Sequence, residues 1–428
     1  MTVSGQELFA LVVFIGAYAA IMSEKIHRTV AAMVGASLIL IAKTVPWEKL
    51  PEYLDLDTIL LLAGMMVIVN ISRESGLFEY IAIKTAKLSK GSPMKVLLLF
   101  AVVTAGVSAF LDNVTTVLLL TPMLLYITRQ MEINPVPFLL AEIFASNIGG
   151  TATLIGDPPN IMIASAAGLS FNDFLVNMAP IAFLNLFITV GIIYLAYRSA
   201  MKAHKEREER IKLTIMSLNE GDAIRDRSLF KKSLTIIGLV ILGFFFHDKL
   251  GVEPAVIALT GASVLLLWSR ASPEEALEKV EWATLFFFGG LFIIVGALVE
   301  TGAIAQVASW MMGHIHSEGE AIAIITWFSA ISSAVVDNIP LTATLIPIIK
   351  AMGGTLNVYP LWWALSLGAC LGGNGTAIGA SANVVVIGMA HREGIRITFG
   401  DFLKIGMTIM ILTVAAGMGI IWVRYVGL

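Results

Sequence analysis

The sequence predicts an all-α polytopic membrane protein made of two inverted-topology repeats, and three observations predict it. Of the 428 residues, 57% are hydrophobic and only 14% charged, and the mean hydropathy of +0.85 leaves too little charge to cover a soluble surface of that size. Windows of about 20 apolar residues, the length a helix needs to cross a hydrocarbon core of about 30 Å, tile the chain. The stretch Ser108-Ala109-Phe110-Leu111-Asp112-Asn113-Val114 also returns as Ser333-Ala334-Val335-Val336-Asp337-Asn338-Ile339, and a proline follows nine residues after each Asn, at Pro122 and Pro347.

The duplication reaches far beyond that motif. Gly35-Ala36-Ser37 matches Gly261-Ala262-Ser263, and Glu74-Ser75-Gly76 matches Glu300-Thr301-Gly302. The run Gly149 to Gly156 matches Gly372 to Gly379, Asn160 matches Asn383, and Phe171 to Leu175 matches Phe399 to Leu403. All these pairs lie 223 to 228 positions apart, so repeat one is assigned to 1–197, a polar linker to 198–232 and repeat two to 233–428. No separate soluble domain is expected.

Taken in order, repeat one opens with apolar spans near Leu8–Met22, Thr29–Lys43 and Thr58–Ser72. No basic residue precedes Lys25, so the first reads as a span and not as a cleaved leader. Leu77–Lys90 is amphipathic and is expected along the interface. Residues 94–129 are apolar on both sides of Asp112-Asn113, and each half is short for a full crossing, which fits a re-entrant helical hairpin with its tip at membrane depth. In 137–168, Gly149-Gly150 and Pro158-Pro159 are expected to break a helix that resumes near Asn160, leaving unwound backbone that a substrate or ion must satisfy. A last span follows from Phe174 to Tyr197. Repeat two carries the same series, with its hairpin at 319–350 and its broken helix at 357–390.

Five crossings per repeat, an odd number, make the repeats inverted. The linker holds ten Lys or Arg residues and is therefore placed in the cytoplasm, with both termini outside, in a plasma (inner) membrane protein. Lys84, Lys87, Lys90 and Lys95 flank the first hairpin, whereas the matching Gly302–Gly319 has no Lys or Arg. The loop Ser269–Trp282 runs against the rule, being acidic where the cytoplasmic side is expected.

Two inverted tips and two unwound loops meet near the midplane, where secondary transporters bind their substrates. The candidate binding residues are Asp112, Asn113, Thr115, Thr116, Asp337, Asn338 and Thr342 from the tips. From the loops come Thr151, Thr153, Asp157, Asn160, Asn374, Thr376, Ser381 and Asn383. Asn and Thr offer neutral oxygens and amide donors, and Asp offers a charge and a titratable group. A carboxylate at membrane depth is costly enough to point to function, although each Asp also stands where it can cap the second helix of its hairpin. Asp112, Asp337, Glu142 and Asp157 are the candidate proton carriers; Glu142 and Asp157 break the symmetry, because Leu365 and Ala380 hold the matching positions. No Lys or Arg falls among these residues, so no strongly anionic solute is expected. A sodium ion has candidate ligands in Asn113, Asn338 and the loops Gly149–Gly156 and Gly372–Gly379.

Other classes find little support. The single Cys370 excludes an intramolecular disulfide and reads as packing, and the Trp362-Trp363 pair and 19 methionines read as interface anchors and core filling. No phosphate-binding loop, resident metal site, cofactor box or nucleophile motif is present, and a net charge of -3 gives no reason to expect nucleic acid. Two membrane Asp residues could serve an intramembrane aspartyl protease, but neither stands in a Gly-x-Gly-Asp element. A passive channel is told from a transporter by flux against a gradient.

The runs Phe110 to Thr116 and Ser146 to Asn160 closely resemble those of the ArsB/NhaD group of the ion transporter superfamily, over essentially the full length. That group contains arsenite efflux pumps, sodium/proton antiporters and the melanosomal P protein. The resemblance implies the fold of the divalent anion/sodium symporters: a scaffold with two hairpin-bearing transport units that move as an elevator, commonly in a homodimer. An ATPase subunit can associate with such a carrier. Those symporters carry Ser-Asn-Thr at each tip where this chain has Asp112-Asn113-Val114 and Asp337-Asn338-Ile339, and a tip Asp would repel a dicarboxylate. The residues and the resemblance together favour proton-coupled efflux of arsenite or antimonite, with sodium/proton antiport as the alternative.

Overall fold

The computed structural model describes residues 4–23, 25–198 and 212–427, so Glu24 and the linker residues 199–211 lie outside the described residues. The described chain is all helical, and its principal helices fall into two matching series of nine. Repeat one contains α1 (Gly5–Met22), α2 (Arg28–Ile41), α3 (Leu56–Glu74), α4 (Leu77–Ser89), α5 (Pro93–Ser108), α6 (Asn113–Gln130), α7 (Val136–Thr151), α8 (Pro158–Ala167) and α9 (Ala179–Tyr197). Repeat two contains α10 (Arg227–Leu250), α11 (Pro254–Ser269), α12 (Trp282–Glu300), α13 (Ala303–Met312), α14 (Glu318–Ser333), α15 (Asn338–Met352), α16 (Tyr359–Gly372), α17 (Ser381–Arg392) and α18 (Phe399–Tyr425). Among the described residues, α1, α3, α9, α10, α12 and α18 are each long and apolar enough to span a bilayer unaided.

Local sequence sets the boundaries. Ser4 and Glu7 form a capping box at the start of α1, and Asp55 caps α3 by accepting the Thr58 N–H at 3.0 Å. Pro93, Pro158 and Pro254 sit at the first position of their helices, where the missing N–H would find no partner anyway. Gly76 and Gly302, each with φ of +83°, turn the chain sharply between a span and the short helix that follows.

Packing follows the pseudo-symmetry. A Cβ on Gly64 of α3 would stand 2.8 Å from the backbone carbon of Ala258 in α11, and one on Gly290 of α12 would stand 2.8 Å from that of Ala32 in α2. Each helix therefore presses on the partner repeat through a glycine–alanine contact, the close approach that substitutes for a hydrophobic driving force inside lipid. The tip helix α6 packs on α17, and α15 on α8, so each hairpin leans on the broken helix of the other repeat.

Two expectations need correction. The pair Gly149-Gly150 does not interrupt its helix, because α7 runs on to Thr151 and the break is 152–157. The glycines instead admit neighbours: a Cβ on Gly149 would lie 2.2 Å from the Ala105 carbonyl oxygen, and one on Gly150 2.4 Å from Asn113 Oδ1. Pro158-Pro159 starts α8 and does not unwind it. The pair Trp362-Trp363 is buried in the core, with Trp363 edge-on to Phe174 at 5.0 Å, and is no interface anchor.

Candidate functional site

The unwound segments are built by reciprocal bonds that the two repeats share. In repeat one, Ser108 Oγ donates to the Ser146 carbonyl at 2.7 Å and Thr153 Oγ1 to the Ala109 carbonyl. In repeat two, Ser333 Oγ donates to the Ala369 carbonyl at 2.6 Å and Thr376 Oγ1 to the Ala334 carbonyl at 2.5 Å. Asn160 Nδ2 donates to the carbonyls of Gly150 and Thr153, at 3.1 and 2.9 Å, and Asn383 Nδ2 to those of Gly373 and Thr376, at 2.8 and 2.9 Å. These side chains supply the donors that a broken helix cannot find in lipid. Asn160, Asn383, Thr153 and Thr376 therefore hold the loops.

A chain of buried amides joins the repeats at the centre. Asn113 Oδ1 accepts from Ser108 Oγ at 2.8 Å and its Nδ2 donates to Asn147 Oδ1 at 3.3 Å. Asn147 Nδ2 in turn donates to Asn374 Oδ1 at 2.8 Å and Asn383 Oδ1 at 3.1 Å. Asn160 Oδ1 accepts from Ser366 Oγ at 2.6 Å and lies 3.5 Å from Cys370 Sγ. Asn147, which the sequence reading did not single out, is the hub; its position inside the Asn-Ile-Gly-Gly-Thr run was the available signal.

Beside this network lies a cavity of about 60 Å³. Both tips reach it through Asp112, Asn113, Asp337 and Asn338, and both breaks through Asp157 and Ala380, with Ser381 from the start of α17. Asp112 Oδ1 accepts the Thr115 N–H at 2.9 Å and Asp337 Oδ1 the Ile339 N–H at 3.1 Å, so both cap their helices as well as facing the cavity. Asn338 Nδ2 bridges the repeats by donating to both oxygens of Asp157, at 3.3 and 3.2 Å.

Three polar wall residues were not foreseen: Arg28, Glu281 and Thr284. The expectation that no basic side chain reaches the site does not hold. Arg28, at the start of α2, donates to Asp337 Oδ2 at 2.9 Å and Ser381 Oγ at 3.2 Å, and its guanidinium stands 5.2 Å from the Phe287 ring centroid. The contact spans 309 positions, and no local pattern announces it. Glu281 comes from the loop Ser269–Trp282, which ran against the charge rule.

The remaining candidates stand elsewhere. Thr115, Thr116, Thr151, Thr342 and Asn374 do not line the cavity, and Thr151 Oγ1 donates back to the Asn147 carbonyl at 2.8 Å. Glu142 is buried on α7, where one oxygen accepts from Thr121 Oγ1 at 3.0 Å. Among the described residues no cluster of His, Cys, Asp and Glu has a metal-holding arrangement.

Comparison with known proteins places this architecture. The family model described as CitMHS, citrate transporter, matches residues 18–368. An uncharacterized transporter of Mycobacterium tuberculosis is 41% identical over 430 residues, covering 97% of this chain and 98% of that one. The P protein of Homo sapiens is 33% identical over 508 residues, covering 99% of this chain and 61% of that protein. Among solved structures, the YdaH transporter of Alcanivorax borkumensis, whose topology is described as unusual, aligns over 99% of both chains with a TM-score of 0.62 at 14% identity, a likeness of fold.

Proposed function

This chain belongs to the CitMHS citrate-transporter family, and from that premise we propose that it is a proton-coupled exporter of a small inorganic solute, arsenite or antimonite first, working by an elevator-type alternation of access. It is a secondary transporter and no enzyme. The observation that carries the substrate reading is the cavity: about 60 Å³, walled by Asp112, Asp157, Asp337 and Glu281 against the single cation Arg28. A tricarboxylate would bring its negative charges to four carboxylates and one guanidinium already bonded to Asp337. An uncharged trihydroxy solute instead meets acceptors and donors in Asn113, Asn338 and Ser381. The acids supply the proton sites that movement against a gradient requires.

Sodium/proton antiport is the second reading, favoured by the same excess of carboxylate oxygens, which are suitable ligands for a hard cation. The linker is assigned to the cytoplasm and the working unit to a homodimer. Purified protein in proteoliposomes decides among the solutes: arsenite, antimonite, sodium, lithium and citrate are each offered against an imposed pH gradient. Arsenite or antimonite accumulation that collapses with the gradient supports the first reading. Accumulation of citrate alone would sink both.

A further inference from the structure

We infer that Arg28 is a one-sided residue: it meets the tip acid Asp337 only while the cavity faces the linker side, and an acid takes its place when access switches. The inference rests on the proton-coupled reading given above.

The cavity has two kinds of wall. One consists of the tips and the half-helices α8 and α17, which in an elevator travel together. The other is the scaffold, which contributes Arg28 from the start of α2, Glu281 and Thr284 from the start of α12, and Met66 from α3. Chain order sets the starts of α2 and α12 on the same side as the linker. The repeat spacing of 226 maps Arg28 onto Pro254, Glu281 onto Asp55, Thr284 onto Thr58 and Met66 onto Phe292. These counterparts gather at the other end of the molecule. There a cavity of about 500 Å³ is lined by Glu52, Asp55, Asp57 and Phe292 with Lys350, and one of about 310 Å³ by Asp57, Asp248, Glu253 and Pro254 with His247.

An inverted-repeat protein reaches its second access state when the two repeats exchange conformations, so each contact of the first state reappears between counterparts. In the present state Asp337 holds Arg28, and Asp112 shares the cavity wall with Glu281. After the exchange Asp337 shares its wall with Asp55, and Asp112 lies against Pro254 beside Glu253. No basic residue occupies the position of Arg28.

The consequence is a directed change in charge. On the linker side Asp337 is faced by Arg28 on α2, by Asp157 through the bridging Asn338, and by Asp112 and Glu281 across the cavity. The guanidinium at 2.9 Å sets a positive charge against Asp337 on the linker side. On the opposite side the same carboxylate faces Asp55, a like charge. The charge facing Asp337 thereby changes sign between the two access states.

The test uses the full chain with its only cysteine, Cys370, replaced by Ala. Thr284→Cys with Val114→Cys places a thiol pair on the present cavity wall, and Thr58→Cys with Ile339→Cys is the exchanged pair. In proteoliposomes under turnover, a short bifunctional thiol reagent should bridge either pair and block transport in both. Bridging of the first pair without the second would overturn the exchanged geometry. Arg28→Gln should lose at least tenfold of the transport driven by a pH gradient, flatten the dependence on linker-side pH and keep that on the other side, with Arg28→Lys restoring most of the loss. An Arg28→Gln protein with unaltered dependence on both sides would overturn the charge role. Should Arg28→Gln fail to fold, Arg28→Lys and the thiol pairs still decide. Unsubstituted protein that carries nothing on a pH gradient would overturn the parent reading, while the thiol pairs still decide the geometry.

Discussion

Asn113 and Asn338 occupy matching positions in the sequence but different positions in the energetics. Asn113 is locked between Ser108 and Asn147 in the buried amide chain, whereas Asn338 reaches across to Asp157 at the cavity. Asn113→Ala therefore removes two buried hydrogen bonds and is expected to cost about 1–3 kcal/mol as well as transport, read as a lowered unfolding temperature in detergent. Asn338→Ala should abolish transport with a smaller loss of unfolding temperature, since its bonds to Asp157 are only part-buried. Equal melting losses in both variants would show that the two amides are equally structural. For the acids, Asp337→Asn keeps shape and capping but cannot titrate, so downhill exchange should persist while pH-driven accumulation is lost. Retained accumulation in Asp337→Asn and Asp112→Asn alike would pass the coupling role to Asp157 or Glu142.

At the scale of elements, the described part of the linker fastens α4 of repeat one. Arg225 N–H donates to the Ser75 carbonyl at 3.0 Å, Lys87 pairs with Glu220 at 2.5 Å, and Arg225 pairs with Glu79 at 2.8 Å. The Ala223 carbonyl oxygen sits where a Cβ of Gly76 would stand, at 1.8 Å, whereas a Cβ on Gly302 would meet no neighbour within 4 Å among the described residues. Gly76→Ala should accordingly loosen the linker, seen as faster proteolysis between 212 and 226, and Gly302→Ala should strain only its own turn. The Lys87 ammonium holds the Glu220 carboxyl below its usual 4.5. A depressed acid stabilises docking above its ordinary value and loses that contribution as pH falls through the lowered one. Linker protection should therefore be constant from neutral pH down to about 4.5 and decline below it, and in Glu220→Gln the decline should be weaker.

For the whole molecule, the inverted arrangement makes a prediction that is independent of any substrate. In protein lacking Cys370, single cysteines at Lys87 and at Ser309 should be labelled by an impermeant reagent from opposite sides of the membrane. Labelling of both from one side would be incompatible with the fold. Gly64→Leu and Gly290→Leu, at matching scaffold contacts, should damage stability about equally, because each drives a large side chain into the partner repeat's backbone; cores overpacked in this way lose about 1–3 kcal/mol, checked by unfolding in detergent.

The sequence by itself determined the class, the duplication and the two tips, because each is written locally: apolar length, repeated spacing, and an Asp-Asn pair where a helix must restart. It also marked both breaks, although not their limits, since a glycine pair reads the same whether it unwinds a helix or lets a neighbour press on it. Only the tertiary structure decided which polar residues share a cavity. Thr153, Thr376, Asn160 and Asn383 turned out to bind backbone, because buried carbonyls of a broken helix must be satisfied before any solute is. Arg28, Glu281 and Asn147 entered the site through contacts that no periodicity encodes, for the cavity is assembled by two repeats folding through each other, and a charge 309 positions away in the chain becomes the nearest one in space.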